Sequence, residues 1–140
     1  MMETMAVIFW SGTGNTAAMA AEVVAGTGGQ AKLINVLDTN ADEAAKYDRL
    51  ALGCPSMGDE VLEEEEFEPF FAALESKLSG KKVVLFGSYD WGDGQWMRDW
   101  EERTKAAGAT LCAEGLIVNL HPDSDGKQKC RDLGAALANG

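Results

Sequence analysis

Apolar and polar positions alternate along the chain in two rhythms. Short continuous apolar runs are separated by stretches whose apolar residues recur every three or four positions. Met5 to Trp10 (MAVIFW) is the first run, and an unbroken apolar segment of that length predicts a strand covered on both faces. Asn15 to about Ala25 is alanine-rich and predicts a helix, a short one because Gly26 to Gly29 (GTGG) closes it. Lys32 to Val36 predicts a second strand, Asp42 to Lys46 a short helix, and Leu50 to Cys54 a third strand stopped by Pro55. Phe67, Phe70, Phe71, Leu74 and Leu78 fall at helical spacing and mark one face of a helix. Lys82 to Phe86 is the fourth strand. Trp96, Trp100 and Ala107 line one side of the next helix, which gives both tryptophans a core position. Thr110 to Val118 holds a fifth strand with an interruption at Gly115, and Cys130, Leu133 and Leu137 define a last helix. Five strands alternating with helices, joined by right-handed crossovers, predict an α/β fold: a three-layer sandwich around a five-stranded parallel sheet. No repeat, linker or low-complexity tail interrupts the pattern, so residues 1–140 are expected to form a single domain.

Such a sheet places ligands beyond the carboxyl ends of its strands. Three glycine-bearing segments fall there: WSGTGNT after the first strand, PSMGDE after the third and SYDWGDG after the fourth. Any one of them alone would read as a turn. Together they open on one edge and point to a shared site.

Ser11, Gly12, Thr13, Gly14, Asn15 and Thr16 combine hydroxyl and amide donors with two glycines, at the start of a helix and without any cation. Backbone N–H groups and the helix dipole there attract an anion, and the pattern suits a terminal phosphate. A Walker A loop is excluded, because no lysine followed by Ser or Thr is present in that pattern. A dinucleotide fingerprint survives only weakly, with Ala17 at the third glycine position and Asp38 where a ribose-binding acid would stand. In the later loops, Tyr89, Asp90, Trp91 and Gly92 bring a tryptophan between glycine-rich neighbours to the ligand edge, where a flat ring would cover it. Met57 offers a polarizable face, Gly58 suits the positive φ at the first central position of a type II′ turn, and Glu60 can accept from a ring N–H. Phosphate, flat ring and an adaptable backbone acceptor together describe flavin mononucleotide (FMN).

WSGTGNT, GCPSMGDEVLEE, EPFF and LFGSYDWGDGQWM resemble the short-chain flavodoxins, the clostridial type in particular, and the resemblance runs over essentially the whole chain. It implies a flavodoxin-like sheet in the order 2-1-3-4-5 and one non-covalently bound FMN. It implies a low-potential one-electron carrier that cycles mainly between semiquinone and hydroquinone and has no organic substrate of its own. Ser11 through Thr16 would wrap the phosphate. Pro55, Ser56, Met57, Gly58, Asp59 and Glu60 would flank the ring, with Glu60 receiving its N3–H and the Gly58 carbonyl turning toward N5 when the semiquinone forms. Trp91 would stack on the outer face, and Ser88, Tyr89, Asp90, Gly92 and Gly94 would border the pyrimidine end. The resemblance implies partners such as ferredoxin-type reductases or low-potential oxidoreductases. The long loop of the long-chain type is expected to be absent. Asp90 stands where the family commonly has glycine.

Charge narrows the partners. With 23 acids against 12 bases the net charge is -11, so no basic surface awaits a nucleic acid backbone. Seven carboxylates crowd the ten positions from Asp59 to Glu68, beside the expected flavin loop, and predict redox partners with basic faces. Some of these acids should also serve the start of the following helix. Cys54, Cys112 and Cys130 form no CxxC pair and read as plain thiols of a reducing cytoplasm. MMETMAVIFW lacks the features of a signal peptide, and no apolar window is long enough for a membrane helix. A cytoplasmic monomer is expected. His121, the only histidine, sits in the turn HPDSDG. A small flavin- or nicotinamide-dependent oxidoreductase is the alternative, but it would need a proton-transfer group and a second pocket.

Overall fold

The computed structural model describes residues 5–140, so the first four residues of the segment read for targeting lie outside it. The strands are β1 (Met5–Phe9), β2 (Lys32–Asn35), β3 (Arg49–Gly53), β4 (Lys82–Tyr89), β5 (Thr110–Leu111) and β6 (Leu116–Asn119). The helices are α1 (Asn15–Gly26), α2 (Ala41–Ala44), α3 (Phe67–Glu75), α4 (Gln95–Ala106) and α5 (Ser124–Asn139). All strands are parallel, in the order β2-β1-β3-β4-β5, with β6 paired to β4 beyond β5. The predicted fifth strand is therefore two segments on one edge of β4. The break covers residues 112–115, where the Gly115 N–H leaves the ladder and donates to Glu101 at 2.8 Å.

The sheet's two faces follow from the period of two. Ile8, Leu50, Leu52, Val83 and Leu85 face α3 and α4, where Phe67, Phe71, Leu74, Trp96 and Trp100 complete one core. Val7, Ala51, Val84 and Phe86 face α1 and α5 and pack on Met19, Val23, Leu133 and Leu137. Every residue of β1 and β3 is buried, which is why these strands read as unbroken apolar runs. The edge strand β2 is half exposed, and Val36 leaves it to open a single 3₁₀ turn ending at Asp38, capped by the Asn35 side chain.

α1 ends at Gly26, as the GTGG segment predicted, but its 12 residues equal α4 in length, and it lies very close to the longer α5. A Cβ at Gly134 would fall 2.1 Å from the Val23 carbonyl oxygen, and one at Gly26 would fall 2.0 Å from that of Arg131, so both positions need glycine. On the other face, Arg103 of α4 clamps α3 by donating to both carboxylate oxygens of Glu68 (2.7 and 2.9 Å) and to Glu75 (2.8 Å), with its guanidinium 4.9 Å from the Phe71 ring centre. The Glu68 hydrogen bonds raise the Arg103 pKa still further, so the clamp is permanently charged.

Candidate functional site

β1 and β3 end level, because Phe9 pairs with Gly53, and β4 continues three residues beyond its own pair with that glycine to reach Tyr89. The step leaves a cleft of about 280 Å³ at the carboxyl edge of the sheet. Its lining comes from all three predicted segments. Ser11, Gly12, Thr13, Asn15 and Thr16 form the floor, Pro55, Ser56, Met57 and Gly58 one wall, and Ser88, Tyr89, Asp90 and Trp91 the other. The crevice rule for open α/β sheets is met at the point where the order reverses between β1 and β3.

The floor is built for an anion. α1 starts after Gly14, whose φ is 96°, with no side-chain cap and no acid in its first turn, so its N-terminal field is open. Ser11 Oγ accepts from the N–H groups of Gly14 (3.1 Å) and Ala17 (3.2 Å), which holds the loop in shape while leaving its own proton to donate. Thr16 is buried. Its hydroxyl accepts from the Ser88 N–H at 3.3 Å and lies 3.1 Å from Ser88 Oγ, tying the floor to the end of β4.

The two walls are built differently. Residues 57–61 form a small hairpin in which Met57 and Val61 exchange both backbone hydrogen bonds at 2.9 Å. Gly58 has the expected positive φ, 52°, but the loop spans three residues rather than the two of a type II′ turn, and Glu60 takes a second left-handed position at φ 58°. Trp91 is 58% exposed, with no aromatic partner among the described residues, whereas Trp96 and Trp100 are buried as their helical spacing predicted. Tyr89 is held differently: its ring packs on Trp96 at 5.9 Å, so it walls the cleft without being free to stack.

Five predicted residues lie beside the cleft rather than in its lining: Gly14, Asp59, Glu60, Gly92 and Gly94. Asp59 is exposed on the hairpin. The Glu60 carboxylate accepts from the backbone N–H of Gln95 at 2.8 Å and of Asp93 at 3.4 Å, at the start of α4. Two lining residues were missed. Trp10 closes the end of β1, and only its place at the boundary between strand and loop hinted at a role. Leu120 enters the lining from the turn after β6, where its N–H donates to the Tyr89 carbonyl at 2.9 Å and its φ is 58°. No sequence signal marks a leucine for that conformation.

The cysteines take no part. Cys54 is buried behind the 55–58 wall and burial pushes its pKa strongly up, partly offset by the bond from the Glu63 N–H. Burial, with the nearby Glu22 charge, pushes Cys130 up to about 12. Among the described residues no helix is long and apolar enough to cross a membrane.

A parallel doubly wound sheet, an anion-binding floor at a helix N-terminus and an aromatic wall define a mononucleotide-binding protein of the flavin type. The donors of the cleft floor are hydroxyls, the Asn15 amide and backbone N–H groups without a cation, which fit a phosphate monoester, and Trp91 with Met57 fits a flat ring. The family model for flavodoxin matches residues 7–134. The flavodoxin of Clostridium beijerinckii is 51% identical over 138 residues, covering 96% of this chain and 99% of the relative. That of Megasphaera elsdenii is 48% identical over 135 residues, covering 94% and 96%. The solution structure of the two-electron reduced Megasphaera elsdenii flavodoxin superimposes with a TM-score of 0.88 at 46% identity, over 98% of this chain and 100% of that one. The chain belongs to the flavodoxin family. It is an FMN-binding electron carrier of the short-chain clostridial type, not an enzyme with its own substrate, and the oxidoreductase alternative is not favoured.

Proposed function

We propose that the chain is one FMN-binding unit which works as a low-potential, single-electron donor, using the lower of the two one-electron steps of its flavin. The observation that supports this most is the acid-free, hydroxyl-lined helix start on the cleft floor, with the acid run of residues 59–68 beginning directly after the wall residue Gly58. Ser11, Gly12, Thr13, Gly14, Asn15 and Thr16 hold the phosphate through neutral donors and the α1 dipole. Pro55, Ser56, Met57, Gly58, Asp59 and Glu60 form the inner ring wall. Ser88, Tyr89, Asp90, Trp91, Gly92 and Gly94 form the outer one. FMN supplies the redox chemistry, and the protein binds it, covers one edge and leaves another open to a partner. Asp59, Asp90 and the exposed Glu64, Glu65 and Glu66 give this end of the molecule a negative field. Such a field disfavours adding further negative charge to the ring, and it attracts partners with basic faces, ferredoxin-type reductases or low-potential oxidoreductases among them. A monomer in the cytoplasm fits this role.

The decisive measurement is a fluorescence titration of the FMN-free protein with FMN and with riboflavin. FMN should bind about 100-fold more tightly or better, since charge-assisted hydrogen bonds contribute roughly 1.5–3 kcal/mol each. Equal affinities would rule out the phosphate floor.

A further inference from the structure

β6 ends beside the cleft in a turn that carries strain. Leu120 has φ 58° and is one of two non-glycine residues with positive φ among the described residues. A Cβ disfavours that region, and asparagine tolerates it better than leucine does. The turn is imposed from both sides. On the strand side, the Tyr89 carbonyl accepts from the Leu120 N–H at 2.9 Å and from Asn119 Nδ2 at 3.2 Å, where Asn119 pairs with Tyr89 at the end of the β4–β6 ladder. On the helix side, Pro122 is buried, and the Asp123 carboxylate caps α5 by accepting from the Gly126 N–H at 2.8 Å. Only Leu120 and His121 lie between these fixed points. Packing within the protein does not offset the strain. The Leu120 side chain is 48% exposed and belongs to neither core cluster. It does line the cleft, as the only lining residue from beyond β4, on the side of Tyr89 and Trp91.

We propose that Leu120 exchanges stability of the FMN-free fold for affinity: its side chain is an apolar cover for bound FMN on the β6 side of the cleft, and that contact offsets the strained turn. A leucine that is both half exposed and left-handed is unfavourable on two counts while the cleft is open. Strained positions persist where the surroundings over-determine them, as the Tyr89 carbonyl and the buried Pro122 do here. Covering the side chain removes one of the two costs, and only a ligand in the cleft can do so from the lined side. The chemistry of the contact follows from its neighbours. The hydroxyl and N–H donors for the phosphate lie on the floor, whereas Leu120 stands with Tyr89 and Trp91. The part of FMN that it covers is therefore uncharged, and riboflavin has that part too. Replacing Leu120 should act in opposite directions on the empty fold and on the complex, which a residue with a purely structural role would not do.

This inference rests on the reading of the cleft as the FMN site. The test compares wild type with Leu120→Ala, Leu120→Asn and Leu120→Met. Alanine removes the contact and keeps the strain, asparagine removes the contact and relieves the strain, and methionine keeps a side chain of similar volume. Dissociation constants for FMN and for riboflavin are measured by fluorescence titration, and urea midpoints are measured on the FMN-free proteins. Leu120→Ala and Leu120→Asn should each bind FMN about fivefold more weakly, the loss expected when roughly half a leucine side chain goes uncovered. Riboflavin should weaken by the same factor. Leu120→Met should stay within about twofold of wild type. Without FMN, the Leu120→Asn midpoint should lie above that of Leu120→Ala. Unchanged FMN affinity in the alanine and asparagine variants overturns the cover. Weaker FMN with unchanged riboflavin overturns it too, because the effect then runs through the phosphate floor. A Leu120→Asn midpoint no higher than that of Leu120→Ala refutes the exchange of stability for affinity. A wild-type protein that binds no FMN overturns the cleft reading and this inference with it, whereas tight wild-type binding that no variant alters overturns this inference alone.

Discussion

At the scale of single residues, Gly58 isolates one effect. A Cβ there would meet nothing within 4 Å, so Gly58→Ala changes the backbone's freedom and no packing. Its φ is already 52°. Turning the following peptide toward the ring, while φ stays positive, moves the residue into a region open essentially to glycine alone, at a cost of about 1–3 kcal/mol for other residues. The proposed turn gives the reduced ring a hydrogen-bond acceptor, so Gly58→Ala should lower the more positive of the two one-electron potentials. At 59 mV per tenfold change for one electron, about 1 kcal/mol corresponds to a fall of about 40 mV. A redox titration in which this potential stays put would remove the assignment. The positions legible in the sequence are those whose chemistry is local. Ser11 and Thr16 could be read because a glycine-bearing, hydroxyl-rich segment follows the first strand at the ligand edge of the sheet, and Trp91 because a tryptophan among glycines is poorly placed for a core. Glu60's capping bonds, Trp10's place in the cleft and Leu120's left-handed turn depend on residues brought together by the fold, and a linear pattern carries no trace of that.

At the scale of elements, the acid run divides into structural and free members. Glu63 is only 6% exposed, and its carboxylate accepts from the N–H groups of Glu65 (2.8 Å), Glu66 (2.7 Å) and Phe67 (2.8 Å). It is the cap of α3. Glu68 is committed to Arg103, and Glu60 to α4. Charged hydrogen bonds contribute roughly 1.5–3 kcal/mol each, but part of any loss is recovered by hydration of the freed helix end. Glu63→Ala should therefore destabilise the protein by about 2–3 kcal/mol, read as a lower midpoint in urea with an unchanged slope. A midpoint equal to wild type would show that the cap carries no net stability. The sequence predicted that the run would serve α3, but one acid looks like another in EEEE, and only burial singles out Glu63. The strands were easier. β1, β3 and β4 are covered by helices on both faces and so read as apolar blocks. β5 and β6 are short segments at the sheet's edge, only partly buried, and the break between them was visible only as Gly115. Leu78, placed by spacing on the face of α3, is buried just past that helix's end at Glu75, so its contact outlasts the helix.

For the whole molecule, four of the six exposed large apolar side chains among the described residues stand at or beside the cleft, while Leu33 and Leu37 lie in β2 and just after it. Lys32, Arg49 and Lys82 begin β2, β3 and β4, at the end away from the cleft. Around the cleft stand four exposed apolar side chains, Met57, Val61, Trp91 and Leu120, the first three close in the chain to the free acids Asp59, Glu64, Glu65, Glu66 and Asp90. An apolar centre beside carboxylates suits brief docking: the acids draw a basic face in, and the small contact area lets it leave after transfer. Of the four acids in sequence from Glu63, only Glu64, Glu65 and Glu66 are free to act this way, because Glu63 holds α3. The test is Glu64→Gln, Glu65→Gln and Glu66→Gln together, with Glu63 kept. Association with a basic-faced reductase should slow by about tenfold at low salt, and the dependence of that rate on ionic strength should flatten. The lower one-electron potential should rise at the same time, since the proposed negative field loses three charges, while the urea midpoint should stay close to that of wild type. These outcomes separate the two roles of acids that the sequence shows as one run. If the rate, its salt dependence and the potential all match wild type, the three glutamates are only a hydrated surface, and partners approach the flavin from another side.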